Sequence, residues 1–176
     1  MTATTRCSLW ALPAEPDRAL LGAVIERLSR SVGVRPFAPH LTLVGAVPDP
    51  ESAAGAIAAV ATRAAPIPVM LAEVADSDEH FRCITLVARS DPPIMDLRSK
   101  CAAALGVTPG EFRPHLSLLY ADCDPFDRAC QRRRIGLDMP HSTVIDAVSL
   151  VRTGGHDPRS WSTEAVWELC GEPDRS

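Results

Sequence analysis

The chain contains the same strand–helix–strand pattern twice, and each copy ends in a Pro-His motif. In the first copy, an apolar run from Cys7, a helical stretch and a glycine lead to the sequence PHLTL at 39–43. In the second copy, an apolar run from Cys83 leads in the same way to PHLSL at 114–118. The two histidines, His40 and His115, are offset by 75 positions. Copies of one supersecondary unit usually pack against each other, often about a pseudo-twofold axis. The repeat therefore predicts that the two motifs face each other across one cleft.

Hydrophobic periodicity extends this pattern along the chain. A length of 176 residues suits one domain, or two small lobes that share a core. Helices are predicted at 15–31, 51–65, 95–105 and 125–134, with Leu20, Leu21, Val24, Ile25 and Leu28 as the apolar stripe of the first. Strands are predicted at 5–12, 40–47, 67–75, 81–89, 115–121, 144–152 and 161–169.

Each motif presents an imidazole beside a hydroxyl. Because residues i and i+2 of a strand point to the same face, His40 shares a face with Thr42, and His115 shares one with Ser117. The leucines between them point to the opposite face. Two imidazoles and two hydroxyls around one space suit an in-line displacement at phosphorus, in which one histidine is the base and the other the acid. The hydroxyls can donate to the non-bridging oxygens. This chemistry requires no metal and no other cofactor.

One Pro-His motif alone is weak evidence, because such a pair is usually part of an ordinary strand. The second copy, within the same repeat, is what favours catalysis. His141 also follows a proline but lacks the leucine alternation, and it is predicted to lie in a loop. His80 in a predicted turn and His156 in a Gly-rich loop are expected to be solvated.

Paired His-x-Thr/Ser motifs flanked by apolar residues resemble the signature of the two-histidine (2H) phosphoesterase superfamily. Within it, the chain is more similar to the cyclic phosphodiesterase branch known from plants and fungi. The resemblance covers nearly the whole chain and is carried by SLWALP at 8–13, FAPHLT at 37–42, PHLSLLYA at 114–121 and Trp161.

This resemblance implies an α+β fold with two pseudo-twofold-related lobes, each an antiparallel β-sheet backed by helices, and a central active-site cleft. Residues 1–176 would form a single two-lobed domain, with the repeat at 5–47 and 81–121. It also implies metal-independent hydrolysis of ADP-ribose 1″,2″-cyclic phosphate to ADP-ribose 1″-phosphate, and of nucleoside 2′,3′-cyclic phosphates to 2′-phosphates. His40, Thr42, His115 and Ser117 would carry catalysis, and Tyr120 would lie at the pocket.

Aromatic residues near the motifs are candidates for substrate binding. In a regular strand, Tyr120 would point to the same face as Leu116 and Leu118, away from His115. A bulge or the end of the strand is therefore needed to bring it into the site. Trp10 points to the same face of its strand as Ser8, so its side chain can reach the cleft and stack on a base. A place in the core is an equally weighted alternative. Phe81 is a weaker pocket candidate. Trp161 and Trp167 are expected in the core, and the arginine run at 132–134 is typical of a solvated helix face.

Composition favours a small-molecule substrate. The net charge of −4 does not indicate binding to long nucleic acids or to an anionic membrane. Residues 1–6 lack the pattern of a signal peptide, so a cytoplasmic location is expected. The chain is also expected to be a monomer. The six scattered cysteines are interpreted mainly as reduced thiols, with a regulatory disulfide left open.

Two alternatives remain open at this stage. An RNA-end enzyme acting on 2′,3′-cyclic ends or 2′-5′ linkages would favour a basic groove leading away from the cleft. A non-catalytic nucleotide-binding module on the same scaffold would bind nucleotides without turnover, although such a module could lose a histidine or hydroxyl and all four are intact here.

Overall fold

Seven strands and four helices make up the part of the chain that the computed structural model describes, residues 7–48, 50–108, 110–155 and 157–172. The strands are β1 (Cys7–Pro13), β2 (Leu41–Val47), β3 (Ile67–Asp76), β4 (Ile84–Ala88), β5 (His115–Leu119), β6 (His141–Arg152) and β7 (Ser162–Glu168). The helices are α1 (Asp17–Val32), α2 (Pro50–Arg63), α3 (Pro92–Ala104) and α4 (Pro125–Arg133), with 3-10 turns at His80–Arg82 and Pro158–Ser160. The α+β class is confirmed. The predictions for residues 1–6 and for His156 concern positions outside the described residues.

The two copies of the repeat form two antiparallel strand pairs that meet at one seam. β1 pairs with β2, and β4 pairs with β5. β2 and β5 join through the pair Leu41–Leu116, the leucines directly after the two motif histidines. This pairing places both motifs at the centre of the sheet.

Each copy of the repeat pairs with a third strand, and that strand comes after the other copy in the sequence. β3 follows the first copy but pairs with β4 of the second, whereas β6 follows the second copy but pairs with β1 of the first. β6 serves both lobes, because 141–145 pair with β3 and 145–152 pair with β1. The pairings close a circuit β1-β2-β5-β4-β3-β6, and β7 pairs with the C-terminal half of β6. The lobes thus share one seven-stranded sheet among the described residues.

The first helix of each copy packs on a strand of the other copy. Among the strands, α1 packs mainly on β5 and α3 packs mainly on β2, and α3 also packs against α2. Leu21, Val24, Ile25 and Leu28 form the buried stripe of α1 as predicted. The prediction for Leu20 was wrong: its side chain is 43% exposed, because it lies one position before the stripe and therefore on the flank of the helix.

β6 begins earlier than the sequence predicts, and this corrects the assignment of His141. His141 lies in the strand rather than in a loop, where it pairs with Leu71 of β3. Its Nε2 atom is 3.2 Å from a carboxylate oxygen of Asp17. The strand partner is distant in sequence, so no local pattern indicated the extension.

A glycine ends the first helix of each copy and turns the chain toward its motif. Gly33 has φ 75°, and its N–H donates to the carbonyl of Arg30 at 3.3 Å. Gly106, at the matching place after α3, has φ 64°. Both positions require the left-handed conformation that glycine adopts without steric cost.

We expect Gly33→Ala to lower the free energy of unfolding by about 1 kcal/mol, because alanine is strained at a positive φ. Gly22→Ala is the matched control, since Gly22 lies inside α1 and an added Cβ meets nothing within 4 Å. That change should raise the free energy of unfolding by roughly 0.5–1 kcal/mol. Urea denaturation followed by circular dichroism measures both, and equal effects of the two substitutions would contradict the assigned cap.

Candidate active site

The structure brings His40 and His115 together on either side of the β2–β5 seam. His40 directly precedes β2 and is 4% exposed, whereas His115 opens β5 and is half-buried. The pairing of Leu41 with Leu116 places the two histidines beside each other across the seam, and the charge of His115 contributes to lowering the pKa of His40. The predicted meeting of the two motifs is therefore present in the geometry.

Both histidines are oriented by the same local hydrogen bond. The Nδ1 atom of His40 lies 2.6 Å from the carbonyl oxygen of Ala38, and that of His115 lies 2.9 Å from the carbonyl oxygen of Arg113. A carbonyl oxygen can only accept, so Nδ1 carries a proton in each ring. Nε2 of each imidazole is therefore the atom that can accept or donate a proton in the cleft.

Trp10 makes the environment of His40 very different from that of His115. Its indole stacks face to face on the His40 ring, with ring centroids 3.6 Å apart and planes 9° apart. Burial lowers the pKa of His40 to about 4, with a smaller contribution from the charge of His115, while the hydrogen bond to Ala38 acts in the opposite direction. With a pKa of about 4, His40 is neutral at pH 7.

Tyr120 reaches the site because β5 ends one residue before it. β5 stops at Leu119, and the β4–β5 register shifts between Ile84 and Thr85. The Tyr120 hydroxyl lies 3.4 Å from Nε2 of His40, and its ring stacks on Phe37 at 3.7 Å. Burial raises the pKa of the Tyr120 phenol, so it stays protonated and can donate to the unprotonated Nε2.

The two motif hydroxyls are placed differently. Ser117 is 5% exposed and its Oγ donates to the carbonyl oxygen of Phe81 at 2.9 Å. Thr42 is half-buried and lies opposite Trp10 in the β1–β2 ladder. Within the described residues, the Thr42 hydroxyl makes no hydrogen bond. Ser117 therefore links the second motif to the 3-10 turn at His80–Arg82, while Thr42 is available to a ligand.

His40 lies against a cluster of five aromatic side chains, three of which contact it, and sequence analysis identified three of the five as binding candidates. Trp10 and Tyr120 contact the ring directly, and Phe81, which is 38% exposed, lies edge-on to Tyr120 with centroids 5.2 Å apart. The other two are Phe37 and Trp161. Trp161 was predicted to be a core residue; it is partly buried and packs against the core, and its ring centroid lies 5.8 Å from that of Trp10 and 6.0 Å from that of Tyr120. Its signal in the sequence was its place within the family resemblance.

A cavity of about 340 Å³ opens beside Trp10. Trp10, Phe37 and Trp161 supply its aromatic walls. Among the described residues, no charged side chain lines it. A cavity of this size and character suits a flat, uncharged ring system.

The remaining described histidine, His80, lies apart from the pair formed by His40 and His115. It was expected to be solvated, but its side chain is only 24% exposed and its Nδ1 atom is 3.2 Å from a carboxylate oxygen of Asp122. The 3-10 turn that holds it is fixed by Ala121, whose N–H donates to the His80 carbonyl at 3.1 Å. Within the described ranges, no cluster of three or more His, Cys, Asp or Glu side chains could hold a metal ion. No helix there is long and apolar enough to cross a bilayer.

Comparison with protein families identifies one family. A family model described as the 2′-5′ RNA ligase superfamily matches residues 16–157. No curated protein sequence matches the chain at a significant level.

Several solved structures share the fold. A protein described as a phosphoesterase is 15% identical, covers 94% of this chain and 98% of its own, and has a TM-score of 0.61. Escherichia coli LigT complexed with 3′-AMP is 16% identical over 94% of this chain and 98% of its own, with a TM-score of 0.59. The protein TT0787 of Thermus thermophilus is 18% identical over 96% of this chain and all of its own, with a TM-score of 0.63. At these identities, the likeness shows the fold alone.

We expect His40 to titrate with a pKa of about 4, because Trp10 excludes water from one face of its ring. In Trp10→Ala the pKa should rise toward the ordinary value of 6.5, whereas Trp10→Phe, which keeps a flat apolar ring, should hold it low. Nuclear magnetic resonance titration of the His40 ring measures this directly. Trp167→Ala, which removes an indole outside the site, is the control. A His40 pKa near 6.5 in the wild-type chain would contradict the effect of burial.

Proposed function

The chain belongs to the 2′-5′ RNA ligase superfamily, the two-histidine phosphoesterases, and from this premise we propose that it hydrolyses small cyclic phosphodiesters without a metal ion. The substrates are nucleoside 2′,3′-cyclic phosphates, opened to 2′-phosphates, and ADP-ribose 1″,2″-cyclic phosphate, opened to ADP-ribose 1″-phosphate. His40, His115, Thr42 and Ser117 carry the reaction, and Trp10, Tyr120 and Phe81 contact the substrate.

The observation that carries this proposal is the inequivalence of the two imidazoles. In both rings, Nδ1 donates a hydrogen bond to a backbone carbonyl, so Nε2 is the ring nitrogen available in the cleft. His40 is buried and neutral, so its Nε2 has the lone pair that a general base needs. His115 is more exposed, and we assign it the general acid.

The reaction balances with these two groups alone. A water oxygen attacks phosphorus while its proton passes to Nε2 of His40. The bond between phosphorus and the 3′ oxygen breaks, and that oxygen takes the proton from Nε2 of His115. A histidine on each side of the phosphorus matches the in-line arrangement of attacking and leaving oxygens. Exchange with water restores both protonation states before the next turnover.

The hydroxyls bind the phosphate oxygens. Thr42 can donate to a non-bridging oxygen, and Ser117 can do so once its hydroxyl rotates away from the Phe81 carbonyl. In the unliganded site, the Tyr120 hydroxyl lies against Nε2 of His40. When substrate binds, the attacking water takes the place of this hydroxyl at Nε2.

The surroundings of the cleft support a single nucleotide rather than a long RNA. The uncharged cavity beside Trp10 has room for one base between aromatic walls. The net charge of −4 gives no general attraction for a polyanion. The name of the family favours a second candidate, cleavage or joining of 2′-5′ linkages and RNA ends, and a short RNA with a 2′,3′-cyclic end belongs in the assay for that reason.

The direct test is hydrolysis of the four nucleoside 2′,3′-cyclic phosphates, ADP-ribose 1″,2″-cyclic phosphate and the short RNA, all in EDTA, with products resolved by chromatography. We expect kcat/KM to fall about 10²–10⁴-fold in His40→Ala and in His115→Ala. His141→Gln, which changes a histidine outside the cleft, should keep full activity. A folded wild-type chain that leaves every substrate intact would refute the proposal, and turnover of the RNA alone would establish the second candidate.

We also expect a bell-shaped dependence of kcat/KM on pH. Because His40 must be neutral to accept a proton, the acid limb should lie near pH 4, and activity should be lost below it. Because His115 is assigned the general acid, the residual activity of His115→Ala should keep the acid limb and lack the alkaline one. Circular dichroism at each pH controls for unfolding. An alkaline limb that persists unchanged in His115→Ala would exclude His115 as the acid.

A further inference from the structure

The segment that leads into β5, residues 110–114, belongs to no helix or strand, yet it orients His115. The carbonyl oxygen of Arg113 lies 2.9 Å from Nδ1 of His115. Arg113 is exposed and His115 is half-buried, so water can compete for both ends of this hydrogen bond. The bond therefore orients the ring only while the Arg113 carbonyl is held in place, and the contacts that hold residues 110–114 act on His115.

In each copy of the repeat, a phenylalanine directly precedes the residue whose carbonyl orients the histidine. Phe37 has this place in the first copy, and Phe112 has it in the second. Because a planar peptide leaves only two free torsions per residue, a ring that is fixed here restricts the direction of the next carbonyl. In the first copy, Tyr120 stacks on Phe37 at 3.7 Å and fixes it. Phe112 needs a different partner, because Gly45 has the place that corresponds to Tyr120 in the other copy.

Arg98 of α3 is the partner of Phe112. Its guanidinium carbon lies 4.4 Å from the centroid of the Phe112 ring, and a terminal nitrogen donates to the carbonyl oxygen of Gly110 at 3.0 Å. The Nε atom is buried and has no hydrogen-bond acceptor within the described ranges. Water is therefore excluded from this part of the guanidinium, which strengthens its attraction to the face of the ring. One side chain thus holds both the beginning and the middle of the segment.

Arg113 lies between two fixed points. Phe112 precedes it, and the carbonyl of Pro114, which follows it, accepts a hydrogen bond from the N–H of Ala88 at 2.9 Å. The side chain of Arg113 pairs with Glu73 at 3.0 Å, but both side chains are mostly exposed, and such a pair contributes little. The attachment before Arg113 is therefore the one that α3 supplies.

We propose that Arg98 is a positioning residue for His115, which it orients through residues 110–114. When Nε2 of His115 gives its proton to the leaving oxygen, the Arg113 carbonyl accepts a hydrogen bond from the proton that remains on Nδ1. By holding the segment, Arg98 keeps that carbonyl aligned with Nδ1 before substrate binds. This inference rests on the role proposed above for His115 as the acid, and it gives Arg98 no part in substrate binding.

The first test reads the tautomer of His115 by nitrogen nuclear magnetic resonance of the isotope-labelled full chain, at a pH where the ring is neutral. We expect the wild-type ring to carry its proton on Nδ1. Arg98→Met keeps an unbranched apolar stem and removes the guanidinium, so it should raise the fraction of rings with the proton on Nε2. Phe112→Leu should do the same, whereas Arg98→Lys, which keeps a cation for the ring, should stay closer to wild type. The tautomer of His40 should not change in any of these variants.

The second test is kinetic, with a nucleoside 2′,3′-cyclic phosphate as substrate. Because Arg98 acts on the acid and not on the substrate, kcat of Arg98→Met should fall by up to about 10²-fold, and KM should not change. Arg30→Ala is the matched control, since it removes an exposed arginine of α1 that pairs with Glu26. It should change neither the tautomer of His115 nor kcat.

The inference is overturned if His115 keeps its tautomer in Arg98→Met, if the tautomer of His40 changes as much as that of His115, or if kcat of an active enzyme stays unchanged. The tautomer is read without turnover. An inactive wild-type chain would therefore refute the proposed hydrolysis, while the effect of Arg98 on the His115 ring would still be measured.

Discussion

The pairing of Leu41 with Leu116 is the contact on which the cleft depends, because it joins the two copies of the repeat at their motifs. Both leucines are completely buried, and each directly follows a motif histidine. A slip of one residue in either strand would turn the leucines into the cleft and the histidines into the core. Burial of the leucines therefore fixes the register that presents both imidazoles on the same side.

A symmetric pair of motifs would not by itself supply an acid and a base, and residues outside the motifs remove the symmetry. Trp10 covers His40 from β1, and Tyr120 reaches its Nε2 atom from beyond β5. The corresponding positions in the other copy are Leu86, which is buried in the core, and Gly45, which has no side chain. His115 therefore lacks both covering groups, and the two imidazoles differ in hydration although their hydrogen bonds to the backbone match.

Local sequence patterns predicted what depends on local geometry, and missed what depends on distant partners. Strand parity and the repeat were enough to place His40 near His115, and the need for a strand end explained how Tyr120 enters the site. Phe37 and Phe112 occupy the same place in the two copies, yet Phe37 stacks on Tyr120 while Phe112 lies under the guanidinium of Arg98. Sequence position could not distinguish them, just as it could not show that the segment before β7 brings Trp161 to Trp10.

The hydrogen-bond donors of the cleft fit the chemistry proposed for it. In the cleft, the pKa of His40 is set by burial, a backbone carbonyl and His115, with no lysine or arginine among the causes. A fixed cation beside these imidazoles would disfavour the protonated state that the acid requires. Neutral hydroxyls on Thr42 and Ser117 can hold phosphate oxygens without that penalty.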